Sequence, residues 1–242
     1  MGRVITLDAL GTLVALEDPV PRLVAGLGAH GAMVSAAQAA AALAEEIAFY
    51  RDGHDDAVDA ASLAALRARC AEVLRAGLER AGADVAAVTP GAMVDVLLAA
   101  LRFAPYADVP GALAELRAAG HRLVVVSNWD VSLHEMLRTT GLARLVDGAI
   151  SSAEAGARKP APAIFRRALA LASARPDAQA ASRGRGGARP ALHAGDSLEL
   201  DVAGARAAGL EAVLIARDGV RCGVPDGVVV LDSLDGLAGL AA

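Results

Sequence analysis

The sequence predicts an α/β fold, a parallel sheet with helices on both faces, interrupted by an all-helical segment. Three observations carry this expectation. Runs that are apolar throughout, such as Leu123-Val-Val-Val126 and Val228-Val-Val-Leu231, alternate with helical stretches, as in sheets buried on both faces. Between about Pro19 and Phe103 the apolar residues fall at helical spacing instead. Finally, Asp8, Ser127 and Asp196 each stand at the end of a strand-like run, the place where open α/β sheets bind ligands.

Taken in order, Arg3-Val-Ile-Thr-Leu-Asp8 is a short β-rich run that ends in a carboxylate and a Gly11-Thr12 turn. Ser35 is placed to cap a helix through Tyr50, with Leu43, Ile47 and Tyr50 on one face. The stretch 61–82 carries Leu63, Leu66, Cys70, Val73 and Leu74 at helical spacing, and Thr89-Pro90 is a cap followed by a first-turn proline. After Pro105 and Pro110 helices are expected over 111–119, 130–139, 161–171 and 202–209. Between and after them come strands over 123–126, 148–151, 191–194, 211–215 and 228–231. The stretch 173–190 is rich in Arg, Gly and Ala and reads as a connection. These elements divide the chain into a core of 1–16 and 104–242 and a helical domain of 17–103.

Composition narrows the function. At 242 residues, 55% hydrophobic and 21% charged, the chain is globular rather than disordered. No apolar run of 18 or more residues indicates a membrane span. A formal net charge of -5 argues against general nucleic-acid binding, which needs a basic footprint. Cys70 and Cys222 lie far apart and outside any CxxC pair, so free thiols are expected. The N-terminus lacks the basic and apolar regions of a secretory leader. Cytoplasmic location, a small-molecule substrate and a monomer or homodimer are the corresponding expectations.

Lys159 is the only lysine among 23 basic residues, and Asn128 and Trp129 are the only asparagine and tryptophan. In so biased a composition these residues draw attention. Asp8, Ser127-Asn128 and Asp196 fall at strand ends, Lys159 in a loop before a helix, and Asp201 five residues past Asp196. Two or three carboxylates beside one ammonium suit a hard, oxygen-ligated cation such as Mg²⁺, with a phosphate between them. Two other patterns carry less. Gly26-Leu-Gly28-Ala-His-Gly31 matches GxGxxG but follows a proline-containing helical stretch rather than a strand. His54-Asp55-Asp56 has no second cluster to complete a metal site.

Four motifs stand in order: Asp8-Ala-Leu-Gly-Thr12-Leu, Val126-Ser127-Asn128, Lys159-Pro160, and Gly195-Asp196-Ser197 with Asp201. Together they resemble the haloacid dehalogenase-like hydrolase superfamily over nearly the whole chain, in its subfamily I form. The resemblance implies a Rossmann-like core with an inserted all-helical cap domain. It implies that Asp8 is a nucleophile that becomes phosphorylated, and that Lys159 stabilises its charge. Thr12, Ser127 and Asn128 would contact phosphate. Mg²⁺ would be held by Asp8, the Leu10 carbonyl and Asp196, and Asp201 would anchor Lys159 or a water. Tyr50, Arg51 and His54 are candidates to face substrate from the cap.

One position departs from the pattern. Phosphatases of the superfamily carry a second aspartate two residues after the nucleophile, which protonates the leaving group; here that residue is Leu10. The resemblance therefore implies a Mg²⁺-dependent phosphatase lacking its usual acid. A metal-independent 2-haloacid dehalogenase and a non-catalytic phosphate-binding protein stand as alternatives. Asp196 favours the phosphatase, because dehalogenases tend to carry Ser-Asn in that motif. Asp130 is the nearest substitute acid, with a helix cap as its plainer role.

Overall fold

A computed structural model describes residues 2–173, 190–219 and 222–241. Six strands form a parallel sheet: β1 (Val4–Leu7), β4 (Arg122–Ser127), β5 (Gly148–Ser151), β6 (Leu192–Gly195), β7 (Glu211–Ile215) and β8 (Val229–Leu231). Their order is β5-β4-β1-β6-β7-β8, and every neighbouring pair is parallel. The chain thus winds outward from β1 in both directions. β4, β1 and β6 are adjacent, so the loops after them meet at the switch point of the sheet. Val124 and Val126 are buried, and α8 (Pro162–Ser173) packs Ile164, Phe165 and Ala168 against them.

The contacts divide the chain into two compact units, Met1–Ala15 with Ala104–Ala242, and Leu16–Phe103. The short strands β2 (Val14–Leu16) and β3 (Phe103–Pro105), which the sequence did not mark, form a two-stranded sheet at the division.

The second unit consists of α1 (Val20–Ala29), α2 (Ala36–Gly53), a 3-10 turn (His54–Asp56), α3 (Ala60–Arg80) and α4 (Pro90–Ala100). Its helix starts are locally encoded. Ser35 and Gln38 form a capping box, as do Asp59 and Ser62, and Thr89 caps α4 with Pro90 in its first turn. The alanine-rich composition serves close packing: a side chain at Gly77 on α3 would lie 2.9 Å from the Ala42 Cα on α2. Gly26 and Gly28 lie within α1, so GxGxxG here is helical and not a nucleotide loop.

In the first unit, α5 (Val109–Ala118), α6 (Leu133–Thr139) and α7 (Ser152–Ala155) complete the helices before α8. Two boundaries differ from the sequence expectation. The helix expected from Asp130 begins at Leu133, and Asp130 Oδ1 instead accepts the Ser132 N–H at 2.6 Å, closing a turn ahead of it. The helix expected from Val202 begins at Leu198 as a π-helix through Ala203, followed by an α turn, Gly204–Ala207. Wide turns of this kind recur at functional sites. The connection expected over 173–190 falls outside the described residues between 174 and 189. Cys70 is buried and Cys222 exposed, and neither forms a disulfide among the described residues. No helix among the described residues is long and apolar enough to cross a membrane.

Candidate active site

Asp8 follows β1, Ser127 ends β4 and Asp196 follows β6. Because these strands are neighbours, the three side chains emerge at one edge of the sheet. Asp8, Asp196 and Asp201 each present a carboxylate oxygen, and the three oxygens lie within 4.8 Å of one another. Lys159 Nζ donates to Asp8 Oδ1 at 2.5 Å and to Asp201 Oδ1 at 2.6 Å, and Ser127 Oγ donates to the same Asp8 oxygen at 3.1 Å.

Glycines make this convergence possible. Gly11 adopts φ +83°, and a Cβ there would lie 2.2 Å from Asp196 Oδ2, so the loop after Asp8 lies directly against that carboxylate. A Cβ on Gly195 would lie 2.2 Å from the Asp201 Cγ, so the π-helix can fold Asp201 back over its own strand. Gly11→Ala is expected to lower stability by about 1–3 kcal/mol through strain and collision. A urea-denaturation midpoint equal to that of the parent would show that the left-handed turn is not needed.

Asp201 is fully occupied. Oδ1 takes Lys159 and His193 Nε2 (3.0 Å), and Oδ2 accepts the Ser197 N–H at 3.0 Å. Lys159, His193 and these hydrogen bonds hold its carboxyl far below the usual range despite burial, and the two carboxylates hold the Lys159 ammonium above its own. Asp8 is buried, and desolvation pushes its carboxyl upward against the pull of Lys159. Asp196 has no basic ion-pair partner among the described residues. Desolvation, then repulsion from Asp8 and Asp201, pushes it up to about 7. The cluster is therefore short of positive charge on the Asp196 side, which fits a divalent cation held by hard oxygen donors.

Other sequence candidates fall differently. Asn128 donates Nδ2–H to the Lys159 carbonyl at 3.1 Å and accepts the Lys159 N–H on Oδ1 at 2.7 Å. Both ends of its amide thus brace the lysine loop. Thr12 is fully buried, and its Oγ1 has no hydrogen-bond partner among the described residues. The Leu10 side chain is 39% exposed. In the second unit the rings of Tyr50 and His54 lie 5.3 Å apart, with His54 buried and Arg51 exposed.

A family model described as haloacid dehalogenase-like hydrolase matches residues 3–209. The chain belongs to the haloacid dehalogenase-like hydrolase family. Among curated relatives it is 39% identical over 109 residues to haloacid dehalogenase-like hydrolase domain-containing protein 3 of Bos taurus, covering 44% of this chain and 39% of that one. It is 32% identical over 145 residues to glyceraldehyde 3-phosphate phosphatase of Methanopyrus kandleri, covering 58% and 56%. The matched stretches thus span roughly two fifths to just over half of those relatives. The family fold is shared at full length with a solved phosphatase from Thermococcus onnurineus (23% identity, TM-score 0.62, 98% and 97% coverage). It is shared equally with a 2-haloacid dehalogenase from Pseudomonas syringae (23% identity, TM-score 0.63, 99% and 98% coverage).

Two groups that shape this family site are absent from the sequence candidates. His193 sits within an otherwise apolar strand, a signal that was legible. Arg217 was not legible: it donates to the Thr12 carbonyl at 2.7 and 3.1 Å, forms a two-pronged pair with Asp108, and stacks 3.7 Å from the Tyr106 ring. It ties down the far end of the Asp8 loop using residues more than a hundred positions apart.

Proposed function

We propose that this chain is a Mg²⁺-dependent phosphohydrolase acting on a small phosphorylated metabolite through a phosphoaspartate at Asp8. The carrying observation is the lone Asp196 carboxylate beside the Asp8–Lys159 pair, a charge arrangement that calls for a cation. Asp8, Asp196 and the Leu10 carbonyl are the ligands assigned to it. When bound, the cation supplies charge neutralisation for an approaching phosphate.

The chain's own residues supply the rest. Lys159 and Ser127 fix the Asp8 carboxylate, so that one oxygen is held by them and the other is left to attack phosphorus as the P–O bond to the leaving group breaks; water then cleaves the phosphoaspartate, releasing inorganic phosphate and restoring Asp8. In this reading the same ammonium and hydroxyl donate to the transferring group as charge moves off the nucleophile. Asn128 keeps the lysine loop in register. We assign substrate selection to Tyr50, Arg51 and His54 of the helical unit. The phosphatase names among the curated relatives agree with this reading. Leu10 supports the rival reading, since a departing halide needs no proton.

Phosphate release from acetyl phosphate and p-nitrophenyl phosphate, and chloride release from 2-chloropropionate, each with Mg²⁺ and with EDTA, separates these readings. Mg²⁺-dependent phosphate release is expected. Chloride release in EDTA would replace the proposal with dehalogenation, and turnover of neither class would replace it with binding alone.

Asp196 gives a test independent of turnover. Its pKa of about 7 lies above the ordinary 3.8, so from pH 4 to pH 7 the folded state keeps a proton that the unfolded state releases. Its contribution to stability is therefore lost as pH rises through 7. The Tm of the metal-free protein is expected to fall from this group between pH 5 and pH 8, and Mg²⁺ to restore it at pH 8. Asp196→Asn should remove the Mg²⁺ response. A full Mg²⁺-dependent Tm shift in that variant would exclude Asp196 as a ligand.

A further inference from the structure

Behind the carboxylate cluster lies a polar chain that the proposed reaction does not use. His193 is fully buried in the middle of β6, and its ring meets the edge of Phe165 at 5.0 Å. It pairs in register with Thr6 of β1, so both side chains project from the same face of the sheet as Asp8, two residues beyond Thr6. On one side His193 Nε2 lies 3.0 Å from Asp201 Oδ1. On the other its Nδ1 lies 2.9 Å from Thr6 Oγ1, whose oxygen is also 3.3 Å from the Leu192 carbonyl.

The donor and acceptor roles follow from the chemistry. An ionised Asp201 only accepts, so His193 Nε2 is assigned as the donor to it. Nδ1 lies against the Thr6 hydroxyl at 2.9 Å, which fixes the plane of the ring. The imidazole in turn fills the position on Asp201 Oδ1 beside Lys159 Nζ, and Ser197 N–H holds Oδ2. The carboxylate is thereby pinned at both oxygens, and the lysine between Asp201 and Asp8 has one place to stand. Burying two polar side chains under a sheet is unfavourable unless each finds a partner. An apolar pair would fill that space at lower cost, so the polar pair implies a demand from the site above it.

We propose that His193, oriented by Thr6, is a positioning residue that acts through Asp201 to hold the Lys159 ammonium on Asp8. Its effect on rate rests on the phosphohydrolase reading, but its effect on Lys159 does not. Lys159 is the only lysine, so protein grown with ¹⁵N-lysine gives one side-chain ammonium signal, which needs no assignment.

His193→Gln and His193→Met are nearly isosteric and differ in whether a donor is offered to Asp201. His193→Gln is expected to keep the Lys159 signal and kcat within about threefold. His193→Met is expected to shift or broaden the signal and to lower kcat about 10–100-fold, the range typical of lost outer-sphere partners, with KM within about twofold. A role in packing alone predicts the reverse order, since the thioether suits the space against Phe165 and a misfit amide does not. Thr6→Val, which removes only the hydroxyl, should give an intermediate broadening and carries the test if His193→Met does not fold. An unchanged Lys159 signal in His193→Met, or in Thr6→Val where that variant carries the test, would overturn the proposal. If even the parent turns over no phosphate ester, the phosphohydrolase reading fails while the ammonium signal still decides the positioning role.

Discussion

Asp8→Asn is expected to abolish turnover, by on the order of 10⁴-fold or more, while leaving the fold intact. An amide keeps the shape of the carboxylate and still offers Oδ1 to Lys159 Nζ and Ser127 Oγ, which now donate to Asp8 at 2.5 and 3.1 Å. What it loses is the charged oxygen that attacks. Stability should not suffer. Burial holds the Asp8 carboxyl above its ordinary range, so the folded state already disfavours this charge, and removing it relieves repulsion with Asp196 and Asp201. The Tm of Asp8→Asn at pH 8 in EDTA should therefore equal or exceed that of the parent. Kinetics and a thermal melt on one preparation check both halves. A variant with a tenth of parental activity would remove the covalent route, and an inactive variant with a collapsed Tm would leave a purely structural reading of Asp8.

The sheet was legible because its signals are local. Leu123-Val-Val-Val126 and the strand ending at Gly195 are buried on both faces, so composition alone marks them. The caps at Ser35 and Thr89 were legible for the same reason, since the capping side chain and its N–H lie three residues apart. The places where the sequence misled depend on longer-range demands. Asp130 looks like a helix start until Ser132 takes its carboxylate. The helix near Val202 starts four residues early, because Ser197 and a wide turn are needed to fold Asp201 over Gly195. At the site, charge type and strand-end position pointed to Asp8, Lys159 and Asp196, but not to how they are braced. Asn128 is one such brace, its amide lying on the Lys159 backbone. That pairing joins residues 31 positions apart, and no local pattern encodes it.

Leu10→Asp is expected to raise turnover of alkyl phosphates by about 10²-fold, the lower end of what general acid–base catalysis contributes. The backbone at this position is already set. Leu10 bridges to Val14, and the Gly11 N–H donates to the Val14 carbonyl at 2.9 Å, so the loop's course does not depend on the Leu10 side chain. The side chain is 39% exposed, so a carboxylate there stays solvated, and its main penalty is repulsion from Asp8 and Asp196. Mg²⁺ would offset that repulsion, and the variant should need the cation for stability more than the parent does. The rate pattern is more diagnostic than its size. With no acid, the parent should favour acyl and aryl phosphates, whose leaving groups depart without a proton, and its rate should fall steeply as leaving-group pKa rises. Leu10→Asp should flatten that slope and raise the alkyl end most. Equal rates for p-nitrophenyl phosphate and a sugar phosphate in the parent would mean that another residue supplies the proton, with Asp130 the first to replace. A folded, Mg²⁺-responsive Leu10→Asp with no gain on any alkyl phosphate would mean that the site is not one acid short of a phosphatase, and the weight would pass to dehalogenation or to binding without turnover.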